Sequence, residues 1–178
     1  MRAAPLIIVG FACFALTAAA VAQDASRRRV EQQWRGPYFI EFRARGGGVL
    51  GHTYILYGRI DQRGRAIDVN HAGLNPSDDY NDKPILAVAL VPGSVTYKAE
   101  DPKKPTTAIY RRRLNAAQYA HLHATVRRLK ATERAWHMTF YNCNDFAAQV
   151  AREMGMVAPF PWALPGTFVS NMRAINGP

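Results

Sequence analysis

The chain has 178 residues, a formal net charge of +10 and a hydrophobic fraction of 48%, which is ordinary for a folded domain. The positive charge favours anionic partners such as membrane surfaces or cell-wall polymers. The basic residues fall in short scattered runs without interleaved aromatic side chains, so nucleic acid is not expected as a partner.

The first 22 residues have the features of an export signal. Arg2 precedes an apolar run over 6–16, and the small residues Ala20-Val21-Ala22 follow. No later segment approaches the roughly 20 apolar residues that a membrane span requires. We therefore expect an exported protein, periplasmic or extracellular, with no transmembrane segment in the mature chain. Its net charge becomes +9 once Arg2 is removed from the total of +10.

A polar, basic segment over 23–35 is interpreted as a linker or a frayed helix, and a single domain is expected over 36–178. Its centre is predicted to be a small antiparallel sheet, with a hairpin turn at 61–64 and a polar loop over 75–84. Strands are predicted where apolar residues alternate with polar ones or form short runs: 38–42, 49–60, 65–71, 85–91, 94–97 and 107–114.

Three helices are predicted after the sheet. Asn115 opens the first, because Gln118 stands three residues on as a capping partner and apolar residues follow at helical spacing. A short strand over 136–140 leads into the second helix, which begins at Cys143 and stops near Gly155. The Pro-rich tail is expected to wrap the core, with a last short helix over 167–175.

No cofactor or metal is predicted. Gly46, Gly48 and Gly51 match the spacing of a dinucleotide-binding loop, but that loop should enter a helix and here it enters a strand. His121 and His123 lie two residues apart on the first predicted helix, so they point to different faces and make a poor metal site.

Cys143 is the only cysteine left after the export signal, and it lies in Tyr141-Asn142-Cys143-Asn144-Asp145-Phe146 at the start of a predicted helix. Unpaired N–H groups and the helix dipole favour the thiolate there. Asn142 and Asp145 also have a structural explanation, as N-cap and first-turn carboxylate. Far upstream, Gly51-His52-Thr53-Tyr54 begins a strand with a histidine. We infer a nucleophile and its base, although Cys143 could instead be a small buried hydrophobe.

A third residue is expected to orient His52 from the neighbouring strand. A four-residue hairpin loop would pair Tyr54 with His71 and place His71 on the sheet face of His52. A three-residue loop would turn His71 away and bring Asn70 and Asp68 to that face. We favour His71, then Asn70, then Asp68.

The histidine strand followed much later by Asn142-Cys143-Asn144-Asp145-Phe146 resembles the circularly permuted papain-like hydrolases. That group includes the PPPDE (DeSI-type) isopeptidases, the lecithin:retinol acyltransferase-like enzymes and permuted NlpC-like relatives. The resemblance covers roughly 38–155 and implies an α+β fold, a small antiparallel sheet packed against a few helices, with the histidine strand before the cysteine helix. It implies Cys143 as nucleophile and His52 as general base. His137, on the predicted strand before the cysteine, is a fallback base.

Three functions follow as hypotheses. The first is an exported thiol hydrolase that cleaves an amide bond in cell-wall peptide or protein through an acyl-enzyme. The second is a membrane-lipid acyltransferase or lipase of the same fold, working at an anionic envelope surface. The third is a non-catalytic binding domain with a structural cysteine. A polar cleft would favour the first, an apolar groove the second, and a sulfur far from every histidine the third.

Overall fold

The computed structural model describes residues 36–46, 51–80 and 83–177, together with Val21, Gln23 and Asp24. The predicted export signal and basic linker therefore lie, apart from those three residues, outside the described residues. The first residues of the predicted strand over 49–60 also lie outside them. The architecture below is that of the unit that begins at Gly36.

The described strands form one six-stranded sheet in the order β5-β1-β2-β3-β4-β6. Every neighbouring pair is antiparallel. β2 and β3 are therefore the central strands. The strands are β1 Tyr38–Arg45, β2 His52–Ile60, β3 Ala66–Pro76, β4 Val91–Thr96, β5 Thr106–Leu114 and β6 Ala135–Trp136.

Three α-helices pack with the sheet, which confirms the expected α+β class: α1 Ala116–Thr132, α2 Cys143–Glu153 and α3 Pro165–Asn176. The start of α1 is fixed by the predicted capping box. The Asn115 side chain accepts from the Gln118 N–H, and the Gln118 side chain accepts from the Asn115 N–H, both at 2.9 Å. The predicted last helix is also present, and Pro165 stands in its first turn.

One face of the sheet forms the core with the helices. Ile40, Phe42 and Ile55 on that face are fully buried, and they share the interior with Phe146 of α2 and Phe168 of α3. Burial of each such side chain contributes about 1.5–3 kcal/mol. The apolar face thus holds α2 against the centre of the sheet, where β2 begins.

Two strand predictions are wrong. The segment predicted as a strand over 85–91 forms the 3₁₀ turn Pro84–Ala87 followed by a loop, and its side chains Ile85, Val88 and Leu90 are exposed. Pro84 begins this turn, a position where proline is favoured. The apolar character of the segment does not correspond to burial here. In the strand predicted over 136–140, only Ala135–Trp136 pairs with the sheet, and the chain then turns.

The hairpin between β2 and β3 differs from the predicted one. Ile60 pairs with Ala66, so the loop is 61–65 and not the predicted 61–64. Because side chains alternate along a strand, that register alone would turn His71 away from the face of His52.

A β-bulge reverses this effect. β3 carries one residue more than β2 near Gly58, and Asp68 in the bulge has a φ of 51°. Beyond the bulge His71 pairs with Leu56, not with the predicted Tyr54, and it returns to the face of His52. The predicted face of His71 is thus correct, but the bulge and not the loop length is responsible.

Gly58→Ala should destabilise the fold because a Cβ there would lie 2.6 Å from the Asp68 carbonyl oxygen and 2.8 Å from that of Ile67. Backbone oxygens held in a bulge cannot move away cheaply, so we expect a loss of about 1–3 kcal/mol in the free energy of unfolding. Urea unfolding measures it. Gly46→Ala is the matched control, because its nearest neighbours lie at 3.5 Å and 3.6 Å. Equal stability of the two variants would contradict the crowded bulge.

Candidate active site

Cys143 lies in the first turn of α2, as the sequence predicts, and is 6% exposed. A capping box fixes this turn. The Asn142 Oδ1 accepts from the Asn144 N–H at 2.8 Å, and the Asp145 carboxylate accepts from the Asn142 N–H at 2.9 Å. The predicted structural roles of Asn142 and Asp145 are confirmed.

The start of α2 is tied to the start of β2. The Thr53 hydroxyl donates to Asn144 Oδ1 at 2.6 Å, and the Thr53 backbone N–H is directed to the Cys143 sulfur. The Asn144 Nδ2 donates in turn to the carbonyls of Pro161 and Ala163, at 2.9 Å and 2.7 Å. Asn144 therefore joins the cysteine turn to both the central strand and the segment before α3.

Cys143 and His52 line the same cavity, which has a volume of about 530 Å³. His52 is the first residue of β2 and is 7% exposed. The two side chains that the sequence singles out, 91 positions apart in the chain, therefore border one space. Polar and apolar groups both line it, among them Asn75, Lys98, Leu86, Trp162 and Leu164.

A buried carboxylate lies close to the His52 imidazole. Asp101 is fully buried, and its Oδ2 lies 3.7 Å from His52 Nε2 and 3.3 Å from His71 Nε2. Its other oxygen, Oδ1, accepts a hydrogen bond from the Arg45 guanidinium. Arg45 pairs with His52 across the sheet, so β1, β2 and β3 each contribute one side chain to this carboxylate.

Packing leaves the His52 ring little freedom. A Cβ at Gly73 would lie 2.7 Å from His52 Nε2, so only a glycine admits the imidazole at this place. The Tyr54 ring stacks against both histidines, with centroid distances of 6.0 Å to His52 and 4.6 Å to His71. The imidazole is thus held with Nε2 toward Asp101.

Burial sets the charge state of the pair. Loss of solvent lowers the pKa of His52 to about 4; the charge of Asp101 opposes this shift and that of Arg45 adds to it. Burial also raises the pKa of the Cys143 thiol to about 11, although the backbone N–H groups of Thr53, Asn144 and Cys143 itself favour the thiolate. The expected activation by the helix start is therefore outweighed, and at neutral pH the pair is a thiol and a neutral imidazole.

Asp101 keeps its charge in spite of its burial. Burial would raise the pKa of its carboxyl group, but the close His71 Nε2, the charge of His52 and the Arg45 guanidinium lower it by more. The Asp101 carboxylate can therefore accept a hydrogen bond from either imidazole. In the described part of the chain, its Oδ2, His52 Nε2 and both nitrogens of His71 make no well-aligned hydrogen bond. Incompletely bonded buried groups of this kind are typical of functional sites.

Three of the predicted alternatives are not brought to the site. Asn70 pairs with Tyr57 and lies on the opposite face from His52, and Asp68 is exposed in the bulge, where it pairs with Arg59. His137 does not border the cavity. Its Nδ1 instead accepts from two backbone N–H groups of the following turn, at 3.1 Å and 3.3 Å.

Sequence reasoning missed Asp101. A third residue was expected on the strand beside His52, whereas Asp101 opens the 3₁₀ turn Asp101–Lys103 before β5. Asp-Pro within a polar connection is an ordinary turn signal, and nothing local in the sequence distinguishes this carboxylate from an exposed one.

No group of three or more His, Cys, Asp or Glu side chains among the described residues is arranged to hold a metal ion. No helix in that part of the chain combines the length and the apolar character needed to cross a membrane.

Comparison with known proteins assigns no family. No protein-family model matches the chain, and neither a curated protein nor a solved structure was found that matches it. The geometry of the cavity is therefore the basis for a function.

His52→Gln should remove a pH dependence of stability. The pKa of His52 falls from its usual 6.5 to about 4 on folding, so between these values the unfolded chain binds more protons and stability falls as pH falls. The loss amounts to about 3 kcal/mol. Urea unfolding at about pH 7 and about pH 4 should show it in the wild type and not in His52→Gln.

The half-exposed His121 offers a matched control, because His121→Gln should lose stability on acidification as the wild type does. An equal loss in His52→Gln and the wild type would contradict a buried, neutral His52.

Proposed function

We propose that the protein is an exported thiol hydrolase of the circularly permuted papain-like type, which cleaves an amide bond in cell-wall peptide or protein. The observation that carries the proposal is the cavity lined by Cys143 and His52, with Asp101 Oδ2 3.7 Å from His52 Nε2. Nucleophile, base and orienting carboxylate are the three parts that covalent acyl transfer needs. Location in the periplasm or outside the cell is part of the same proposal.

The reaction begins with a neutral pair. His52 Nε2 faces Asp101, so Nδ1 takes the proton from the Cys143 thiol as the sulfur attacks the substrate carbonyl. The Asn142 side chain caps the Asn144 N–H, which leaves the Cys143 N–H as the donor proposed for the developing oxyanion. His52 then gives the proton to the leaving amine, and a thioester remains on Cys143. Water, deprotonated by His52, hydrolyses the thioester and restores the thiol.

Asp101 and His71 act in this scheme as positioning residues. Asp101 fixes the His52 ring and stabilises the imidazolium that forms during attack. His71, which the sequence suggested as the third member, approaches the same carboxylate oxygen from the next strand and holds it toward His52. Arg45 holds the other oxygen. Burial disfavours a positive charge on the His52 imidazole in the free site. When that charge forms during attack, the Asp101 carboxylate is already in place as its counter-ion.

The second candidate is transfer or hydrolysis of a lipid acyl group by the same residues. It is favoured by one observation, the apolar side chains Leu86, Trp162 and Leu164 on the cavity wall. The first candidate is favoured by the polar groups Asn75 and Lys98 on that wall. A cavity of about 530 Å³ lies within the size range of small-ligand sites and can take a peptide segment or the head of a lipid.

Acylation by p-nitrophenyl acetate tests the proposal without a known substrate. The wild type should gain one acetyl group on Cys143, detected by intact-protein mass spectrometry and peptide mapping, and Cys143→Ala should gain none there. His52→Ala should slow acylation by about 10²–10⁴-fold at neutral pH, the usual contribution of a general base. The rate in His52→Ala should recover only as pH approaches the thiol pKa of about 11.

His123→Ala is the control histidine variant, because His123 lies on α1 against Tyr57 and Tyr119 and not in the cavity. Its acylation rate should equal that of the wild type. Acetylation of Cys143 at the same rate in His52→Ala and the wild type would overturn the catalytic pair and leave the binding-domain hypothesis. Release of amines from cell-wall peptide would then separate the first candidate from fatty-acid release, which marks the second.

A further inference from the structure

An exposed apolar cluster borders the mouth of the cavity. Phe140, Phe160, Trp162 and Leu164, here called the apolar rim, are 64%, 69%, 59% and 60% exposed. The Trp162 ring contacts both phenylalanines, with centroids 6.0 Å from Phe140 and 5.1 Å from Phe160. Trp162 and Leu164 also line the cavity. Contiguous exposed aromatics of this kind mark an interaction surface rather than scattered surface residues.

The backbone that carries the rim is held in place. Asn144 binds the carbonyls of Pro161 and Ala163, and the Asn176 side chain binds both the N–H and the carbonyl of Val157 at 2.9 Å and 2.8 Å. The rim is therefore presented in a fixed position, anchored through the residue next to Cys143. Contact at the rim is contact at the entrance to the site.

Leu86 and two lysines also line the cavity. Leu86 lies in the turn Pro84–Ala87, and Val88 and Leu90 in the loop that follows are exposed. Lys98 and Lys104 line the cavity as well, with Glu100 as an acidic neighbour, and the Lys98 ammonium is paired with the Asp78 carboxylate. The chain as a whole carries a formal charge of +10. Exposed aromatic and aliphatic side chains next to lysines, on a basic protein, are the combination that binds an anionic membrane surface.

We propose that the apolar rim docks the protein on an anionic lipid bilayer, with the mouth of the cavity against the membrane. The Trp162 ring makes angles of 73° and 54° with its two neighbours, so the rim offers no flat platform for a sugar ring. A fluid bilayer accepts such an irregular surface, whereas a protein partner needs a complementary one. Lys104 at the cavity wall faces the phosphate groups, while the rings enter the boundary of the acyl chains.

This inference rests on the proposed function only in naming the site that the membrane supplies with substrate. Docking itself needs no bond to be made at Cys143. Docking is compatible with cleavage of either an amide bond or a lipid ester, because cell-wall peptides and lipid esters both lie at the envelope surface.

Vesicle co-sedimentation of the mature chain, residues 23–178, tests the docking. The wild type should bind vesicles of phosphatidylcholine with phosphatidylglycerol, and bind phosphatidylcholine alone more weakly. A variant with Phe140, Phe160 and Trp162 each changed to Ser should lose about tenfold or more in affinity for the anionic vesicles. The matched control changes three exposed apolar residues outside the rim, Ile67, Val69 and Ile109, to Ser and should bind within about twofold of the wild type.

Circular dichroism spectra that match the wild type ensure that both triple variants are folded. Failure of the wild type to bind the anionic vesicles would overturn the proposal, and so would equal binding by the rim variant. Pull-down of the wild type by purified cell-wall glycan in place of vesicles would also overturn it. Cys143→Ala should bind vesicles as the wild type does, so docking can be supported even if acylation fails, and acylation can be supported even if docking fails.

Discussion

The arrangement of the site depends on the contacts that the buried Asp101 carboxylate makes with its neighbours. Its oxygens lie close to Arg45 of β1, His52 of β2 and His71 of β3. A residue of the turn before β5 therefore contacts side chains from three adjacent strands. An uncompensated charge at a fully buried position would be costly, and each of these contacts reduces that cost. The position of the His52 imidazole at the cavity wall follows from this cluster.

Desolvation and helix electrostatics act in opposite directions on the candidate nucleophile. Backbone N–H groups at the start of α2 and at Thr53 favour the thiolate, but removal of Cys143 from solvent raises the pKa of its thiol to about 11. His52 is shifted in the other sense, to about 4, by the same cause. In the free site the Cys143 thiol and the His52 imidazole are therefore both neutral at neutral pH. Under the proposed mechanism the proton moves only with the attack on a carbonyl, while Asp101 offsets the charge that forms on the imidazole.

Local chemistry in the sequence predicts the elements that carry the site, but not the contacts between them. The start of α2 could be predicted because Asn142 and Asp145 cap it within one turn. The face of His71 was predicted correctly from a wrong loop length, because a bulge that no turn signal announces compensates the error. Asp101 could not be predicted, since its burial depends on Arg45, 56 positions earlier in the chain. The prediction of a strand over 85–91 is wrong because an apolar run does not by itself determine burial, and Ile85, Val88 and Leu90 are exposed.

The central proposal is that the Cys143 sulfur and the His52 imidazole, which line the same cavity, react as a pair. Treatment of the folded protein with 1,3-dibromoacetone tests this most directly, because the reagent alkylates a thiol and then bridges to a nucleophile within reach. The account predicts a cross-linked peptide that joins Cys143 to His52 and is absent in His52→Gln. A bridge from Cys143 to another side chain, or alkylation of Cys143 with no bridge at all, would contradict it.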